Sequence, residues 1–224
     1  MPCYNEQEGL RLILRQDLSW LDEIIVVDNN SVDNTAFIAK QFGCVVVKEK
    51  KQGYGAAYQA GFSQASGDVI VAIDSDGTYP IESARFLTEK MIRENVDFIS
   101  GNRFAFGKPK NMPLLNYLGN YFFTVLARSL FIKNISDSWS GMWIFKREIL
   151  NKINLREEGM AFSQEIKIKT VASNFKLIEI PIAYRARAGK VKLKRFKDGF
   201  YTLLFLLGIE LRSSLIWREK KQSK

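Results

Sequence analysis

Histidine is absent from these 224 residues, and cysteine occurs only twice, as Cys3 and Cys44. Without histidine and with so little cysteine, a zinc site of Cys/His type is excluded. A histidine base is excluded as well. Acid–base work falls to carboxylates, Lys, Tyr or Cys, and any metal is a hard cation held by oxygen. Sparse cysteine fits a reducing cytoplasm. No signal peptide pattern is visible at the start, and no internal repeat or low-complexity segment stands out. A hydrophobic content of 46% supports one substantial core in a single domain.

The chain carries a formal charge of +9, and all of the excess lies late. Residues 1–184 hold 21 basic and 21 acidic side chains, whereas Arg185 to Lys224 hold 12 and 3. Within that stretch Gly199 to Ile209 is an apolar run flanked by Lys and Arg. It is too short to span a bilayer, which takes about 20 residues. Two readings stay open for it: an interfacial helix with its basic flanks on anionic headgroups, or a terminal helix packed on the core. Basic charge occurs without the aromatic platforms that nucleic-acid binding calls for, so no nucleic-acid partner is expected.

Short apolar runs alternate with helix-like stretches: Glu23 to Val27, Thr35 to Phe42, Cys44 to Val47, Ala56 to Ala65 and Val69 to Ile73. The strand candidates are continuously apolar, which predicts an α/β fold with a mostly parallel sheet covered by helices on both faces. Met1 to Glu6 reads as the loop leaving a first strand, so that strand is expected to be missing, through a late or truncated start. Pro80 to Arg93 predicts a helix, Val96 to Ser100 a strand and Leu114 to Phe131 a long apolar helix. Asn116, Asn120, Thr124 and Arg128 recur there every fourth residue and form one polar stripe. The stripe predicts a core helix with one wet edge, or else a helix in contact with a membrane.

In open α/β sheets, ligands bind beyond the carboxyl ends of the strands. Those positions are polar here: Asp28-Asn29-Asn30-Ser31 follows Val27, and Asp74-Ser75-Asp76-Gly77 follows Ile73. Two carboxylates one residue apart can hold Mg²⁺ or Mn²⁺ and leave coordination positions for phosphate oxygens. The chemistry would be Lewis-acid help for a departing diphosphate.

The ordered set PCYNEQEG, VVDNNSVDNT, GYGAAYQAGF, DSDGTYP, SGNRF, ISDSWSGMWIF, FSQEI and EIPIAYRARAGKVKLKRFKDG resembles family 2 glycosyltransferases of the GT-A (nucleotide-diphospho-sugar transferase, Rossmann-like) fold. More narrowly it is similar to their polyprenyl-phosphate branch, typified by dolichol-phosphate mannose synthase. The resemblance implies a glycosyltransferase domain over 1–195 and a basic, apolar helix over 196–224. It implies a nucleotide-sugar site with Pro2, Tyr4, Glu6, Asp28, Gly53, Gly55, Ala56, Asp74, Ser75, Arg103, Ser140 and Gly141, the glycines giving room for the nucleotide. It also implies a metal at Asp74 and Asp76, and phosphate or acceptor contacts from Arg185, Arg187 and Lys192. Asp76, Asp137 and Arg103 are the expected catalytic set. Asp28 could instead cap its turn, and the glycines could be plain turn residues.

Where the family continues with an aromatic residue and Arg, this chain has Met142 and Trp143; Val191 stands where the family has Ser. The expected activity is inverting transfer of a hexose from a GDP- or UDP-sugar to a polyprenyl phosphate, at the cytoplasmic face of a membrane. A phosphate acceptor needs no strong base. A glycan hydroxyl acceptor would need one, from Asp137 or Glu165. A non-catalytic nucleotide-sugar-binding module is the remaining alternative.

Overall fold

The computed structural model describes residues 1–192 and 196–208. Seven strands and six helices follow in order: β1 Pro2–Cys3, α1 Gln7–Leu14, β2 Ile25–Asp28, α2 Thr35–Gln41, β3 Val45–Lys48, α3 Tyr54–Gln64, β4 Val69–Ile73, α4 Ala84–Arg93, β5 Phe98–Asn102, α5 Leu114–Leu130, β6 Met142–Lys146, α6 Phe162–Ala172 and β7 Leu177–Pro181. Residues 196–208 are also helical. Each run read as a strand or helix recurs with bounds moved by a few residues. Only α4 differs in kind at its start, where Ile81–Ser83 is a 3-10 turn.

The strands form two sheets, ordered β1-β2-β3 and β4-β6-β5-β7. The pairs β1–β2, β2–β3 and β5–β7 are parallel, whereas β6 runs antiparallel to both β4 and β5. A first strand is therefore present, as a two-residue stub: Pro2 and Cys3 pair with Val27 and Asp28. The backbone of Met1 continues it, donating to the Ile25 carbonyl at 2.8 Å and accepting from Val27 N–H at 2.9 Å. β2 and β4 are not paired with each other. An apolar cavity of about 340 Å³ lies between them, lined by Ile25, Val27, Phe62, Val69, Val71 and Ile73 among others.

The continuous apolar runs follow from burial on both faces, since successive side chains of a strand point to opposite sides. Ile73, Ile99, Met142 and Ile144 pack with Ile13 of α1 and with Leu87 and Met91 of α4. Ile70, Phe98, Trp143 and Phe145 pack on the other face with Tyr58 of α3 and with Phe162 and Ile166 of α6. Trp143 lies 4.9 Å from the Tyr58 ring, centroid to centroid, and is fully buried. Met142 and Trp143, the departures from the family pattern, are thus core residues.

α5 inverts the expectation of a wet edge. Its polar residues Asn120 and Thr124 are buried, while Leu114, Leu115, Leu118, Tyr121 and Phe122 are more than half exposed. Phe123, on the inner side, packs with Leu206 of helix 196–208. That helix therefore shares a hydrophobic cluster with the domain. The basic stretch 209–224 lies outside the described residues, as do residues 193–195.

Cys3 is 1% exposed, and burial pushes its thiol up to about 12. Since the thiolate is the reactive form, Cys3 is expected to resist iodoacetamide at pH 8 in the folded protein and to react in urea. Peptide mass mapping reads this; full labelling of Cys3 without denaturant would contradict the packing.

Candidate active site

The Asp74-Ser75-Asp76 segment leaves the carboxyl end of β4 and is held by three different elements. Tyr54 and Tyr58, one turn apart on α3, both donate their hydroxyls to Asp74 Oδ1, at 2.9 and 3.0 Å. Burial and the neighbouring Asp76 charge push the Asp74 carboxyl up to about 7, against those two hydrogen bonds. Ser75 Oγ donates to the Pro2 carbonyl at 2.6 Å and ties the end of β4 to β1. Asp76 Oδ1 accepts from Thr78 N–H and Oγ1 at 3.0 and 2.6 Å.

The remaining Asp76 oxygen accepts from Arg187 Nη1 at 2.5 Å, and Arg187 Nη2 donates to Glu6 Oε1. Lys192 Nζ joins the cluster, 2.7 Å from Glu6 Oε1 and 2.6 Å from the Asn5 carbonyl. Main-chain bonds from Arg185 and Ala188 to the carbonyls of Thr78 and Asp76, each 2.9 Å, lay this loop across the acidic turn. Arg185 itself turns away: its guanidinium pairs with Glu82 at the surface. Of the three residues expected to contact phosphate, Arg187 and Lys192 lie against Asp76 and Glu6, and Arg185 lies against Glu82.

Whether these residues suit a divalent cation can be read from the donor set. Asp74 and Asp76 are oxygen donors one residue apart, as hard cations prefer, and among the described residues no group of three or more carboxylate or thiol side chains is gathered closely enough to hold an ion. Glu6 Oε2 is buried without a hydrogen-bond partner among the described residues. Burial pushes Glu6 up, against the Lys192 and Arg187 charges that pull it down. Two carboxylates suit a Mg²⁺ or Mn²⁺ whose remaining positions are filled by substrate phosphates.

Arg103 and Asp137, predicted as separate catalytic groups, are one buried ion pair. Arg103 Nε and Nη2 each reach a different Asp137 oxygen at 2.7 Å, and its N–H donates to Oδ2 at 3.0 Å. Nη2 also donates to Asn120 Oδ1 of α5 at 3.0 Å. Burial opposes the charged guanidinium, but Asp137 holds it well above its ordinary range. Both Asp137 oxygens are thus engaged by Arg103, and its side chain is fully buried. Glu165, the other base considered, is also buried; it accepts from the amides of Arg156 and Glu157 and pairs with Lys169 at 2.6 Å.

Gly53 and Gly55, expected to give room for a nucleotide, lie close against protein backbone. A Cβ on either would lie 2.4 or 2.2 Å from the main-chain oxygens of Glu158 and Glu157. The Glu158 carbonyl also accepts from Gly55 and Ala56 N–H at 2.8 and 3.1 Å. The start of α3 is therefore docked against protein backbone. Asp28 Oδ1 accepts from Ser31 N–H at 3.0 Å, the turn-capping alternative. Its neighbour Asn29, missed in the sequence reading, accepts from Gly53 N–H at 2.9 Å and donates to the carbonyls of Glu49 and Lys51. Tyr4 is 39% exposed at the rim. Ser140 Oγ is buried with no hydrogen-bond partner among the described residues.

Gly141 brings the backbone against the acidic turn itself. A Cβ there would stand 2.3 Å from Asp74 Oδ2, and its N–H donates to Tyr79 Oη at 2.7 Å.

Residues 1–154 match glycosyl transferase family 2. The chain is 34% identical over 203 residues to a dolichyl-phosphate hexose transferase of Haloferax volcanii, covering 89% of this chain and 87% of that protein. It is likewise 34% identical to a dolichol-phosphate mannosyltransferase of Pyrococcus furiosus, covering 87% of this chain and 58% of the relative. Among solved structures, glucosyl-3-phosphoglycerate synthase from Mycobacterium tuberculosis, in complex with Mn²⁺, UDP and glucosyl-3-phosphoglycerate, superposes with a TM-score of 0.72 at 20% identity, covering 92% of this chain and 78% of that one. The same fold is seen with Mg²⁺ and UDP, at a TM-score of 0.73. These structural neighbours bear out the GT-A fold.

Gly141→Ala is expected to destabilise the protein by about 1–3 kcal/mol, the usual range for overpacking. Gly119→Ala, in the middle of α5 with open space around it, is expected to stabilise by about 0.5–1 kcal/mol. Urea denaturation of the two variants tests the contact; equal midpoints would contradict it.

Proposed function

The chain belongs to glycosyl transferase family 2, and from that premise we propose that it transfers a hexose, with inversion, from a nucleoside-diphosphate sugar to a polyprenyl phosphate. The observation that carries the choice of acceptor is the state of the two carboxylates considered as bases. Asp137 has both oxygens engaged by Arg103, and Glu165 is engaged by amides and Lys169. A hydroxyl acceptor needs a base within reach of its proton. A phosphate oxygen is already anionic near neutral pH, so positioning and charge neutralisation suffice. The names of the relatives from Haloferax volcanii and Pyrococcus furiosus support the same reading.

In this proposal a phosphate oxygen of the acceptor forms a bond to the anomeric carbon as the bond to the nucleoside diphosphate breaks. Asp74 and Asp76 would hold Mg²⁺ or Mn²⁺, which neutralises charge on the departing diphosphate when bound. For that, Arg187 must leave Asp76, and its guanidinium is then free to grip phosphate oxygens in pairs. Lys192 adds a second cation beside it.

The acceptor's lipid calls for an apolar surface, and two helices supply one. Leu115, Leu118 and Phe122 of α5 are exposed, as are Phe200, Tyr201 and Leu204 of helix 196–208, which packs against α5. No helix among the described residues is long and apolar enough to cross a membrane. We propose that these two faces rest on the cytoplasmic leaflet and deliver the lipid phosphate to the Arg103 side of the site.

The direct test is a panel of GDP- and UDP-hexoses with Mn²⁺ and a polyprenyl phosphate, read as label moving into the organic phase. Asp76→Ala is expected to lower transfer roughly 100-fold or more; label entering a water-soluble glycan instead would favour the hydroxyl-acceptor reading. In a second test, Leu118→Glu with Phe200→Glu is expected to abolish pelleting with anionic vesicles and to leave slow donor hydrolysis unchanged. Vesicle binding at the parental level would remove the membrane proposal.

A further inference from the structure

Lys167 is fully buried on α6 between Ile166 and Ile168, where the core gains nothing from a charge. Its Nζ donates to the main-chain carbonyls of Ser138, Ser140 and Asp137, at 2.8, 3.1 and 3.3 Å, and stands 5.7 Å from the Trp143 ring. An ammonium group has three donors and no acceptor; three carbonyls of one loop meet it. From the opposite side, Glu179 of β7 grips the same loop by its amides: Oε2 accepts from Ser136 N–H at 2.7 Å and Oε1 from Asp137 N–H at 2.8 Å. A cation on the carbonyls and an anion on the amides hold the two poles of one short peptide segment.

That segment carries the site. Asp137 fixes Arg103, Ser140 precedes the β6 ladder, and Gly141 stands against Asp74. We propose that Lys167 and Glu179 form a charge clamp that sets residues 136–141 for hexose transfer, making both of them positioning residues. Neither touches the acidic turn, so the clamp acts on the geometry of Arg103 and Asp74 rather than on the chemistry. The charged groups around Lys167 are Asp137 of the loop, Glu179 of β7, Arg103 beyond the end of β5 and Asp74 beyond β4. Burial lowers Lys167 to about 7, against Asp137 and Glu179. Burial also raises Glu179, against the Asp137 and Ser136 amides and Lys167.

The proposal rests on the hexosyl-transfer reading, and its test separates the two. Lys167→Met, Glu179→Gln and the double variant are compared with the parent in transfer assays with Mn²⁺ and the preferred donor, and in amide hydrogen exchange of 136–141. Each single change is expected to lower kcat by about 10- to 100-fold, with donor KM within about threefold and the melting transition still cooperative. The double variant is expected to lose no more than the worse single, as coupled partners do. Exchange at Ser136 to Gly141 is expected to quicken at least about tenfold relative to β6 amides.

Glu179→Gln, at a half-buried position, carries the test if Lys167→Met does not fold. A parent without transfer would sink the functional reading and leave hydrogen exchange to judge the clamp. Unchanged exchange at 136–141, parental kcat in both variants, losses that multiply, or losses that only follow the folded fraction would overturn the clamp.

Discussion

The buried ion pair between Arg103 and Asp137 is the constraint on which the rest of this site depends. Breaking such a pair by removing one partner leaves an uncompensated charge in the core, at a cost of about 3–5 kcal/mol. The chain meets that risk by making the pair a junction. Arg103 follows directly from β5, Asp137 sits in the loop before β6, and Asn120 brings α5 to the same guanidinium. Tyr79, Phe104 and Tyr184 surround the guanidinium at 5.3–5.9 Å and keep water from it. Three elements distant in sequence are thereby held at one end of the sheet, beside the acidic turn.

From that junction follows the inversion of α5. The middle of its polar stripe faces inward because Asn120 serves Arg103 and the Thr124 and Ser138 hydroxyls stand 3.0 Å apart, while Arg128 at the end of the stripe is exposed. With the polar side spent on the protein, the apolar side is left facing outward. A helix so arranged on a water-facing surface would leave its large side chains unpaired with any apolar neighbour, which is why a lipid surface is the natural counterpart. On the proposed function, the inner face of α5 serves Arg103 and its outer face meets the lipid.

The acidic turn shows the same economy at smaller scale. Asp74 is kept in place by two tyrosine hydroxyls and by a glycine that admits its carboxylate within contact of the backbone. Asp76 and Glu6 share one guanidinium from a loop more than 100 residues away in sequence. On the proposed function, a divalent cation held by Asp74 and Asp76 would take the place of that guanidinium and bring one further positive charge to the turn.

Much of this was legible in the residues themselves. Continuous apolar runs meant strands buried on both faces, because a strand with one wet face must alternate; the segments ending in Asp28 and Asp74 meant a site at the carboxyl ends of β2 and β4. The order of eight short motifs carried the family. Sequence could not say which partner each charge would take, because ion pairs and close backbone contacts join positions far apart in the chain. Asp137 reads as a base and is locked by Arg103; Gly53 and Gly55 read as room for a ligand and dock against Glu157 and Glu158; Arg185 reads as a phosphate grip and pairs with Glu82. Lys167 carries no motif at all, since a lysine on a helix is ordinarily solvated. Local composition and periodicity determined the elements and the turn; only the packing of α5, α6 and β7 around the 136–141 loop decided which charges are buried, and so which are left to meet a substrate.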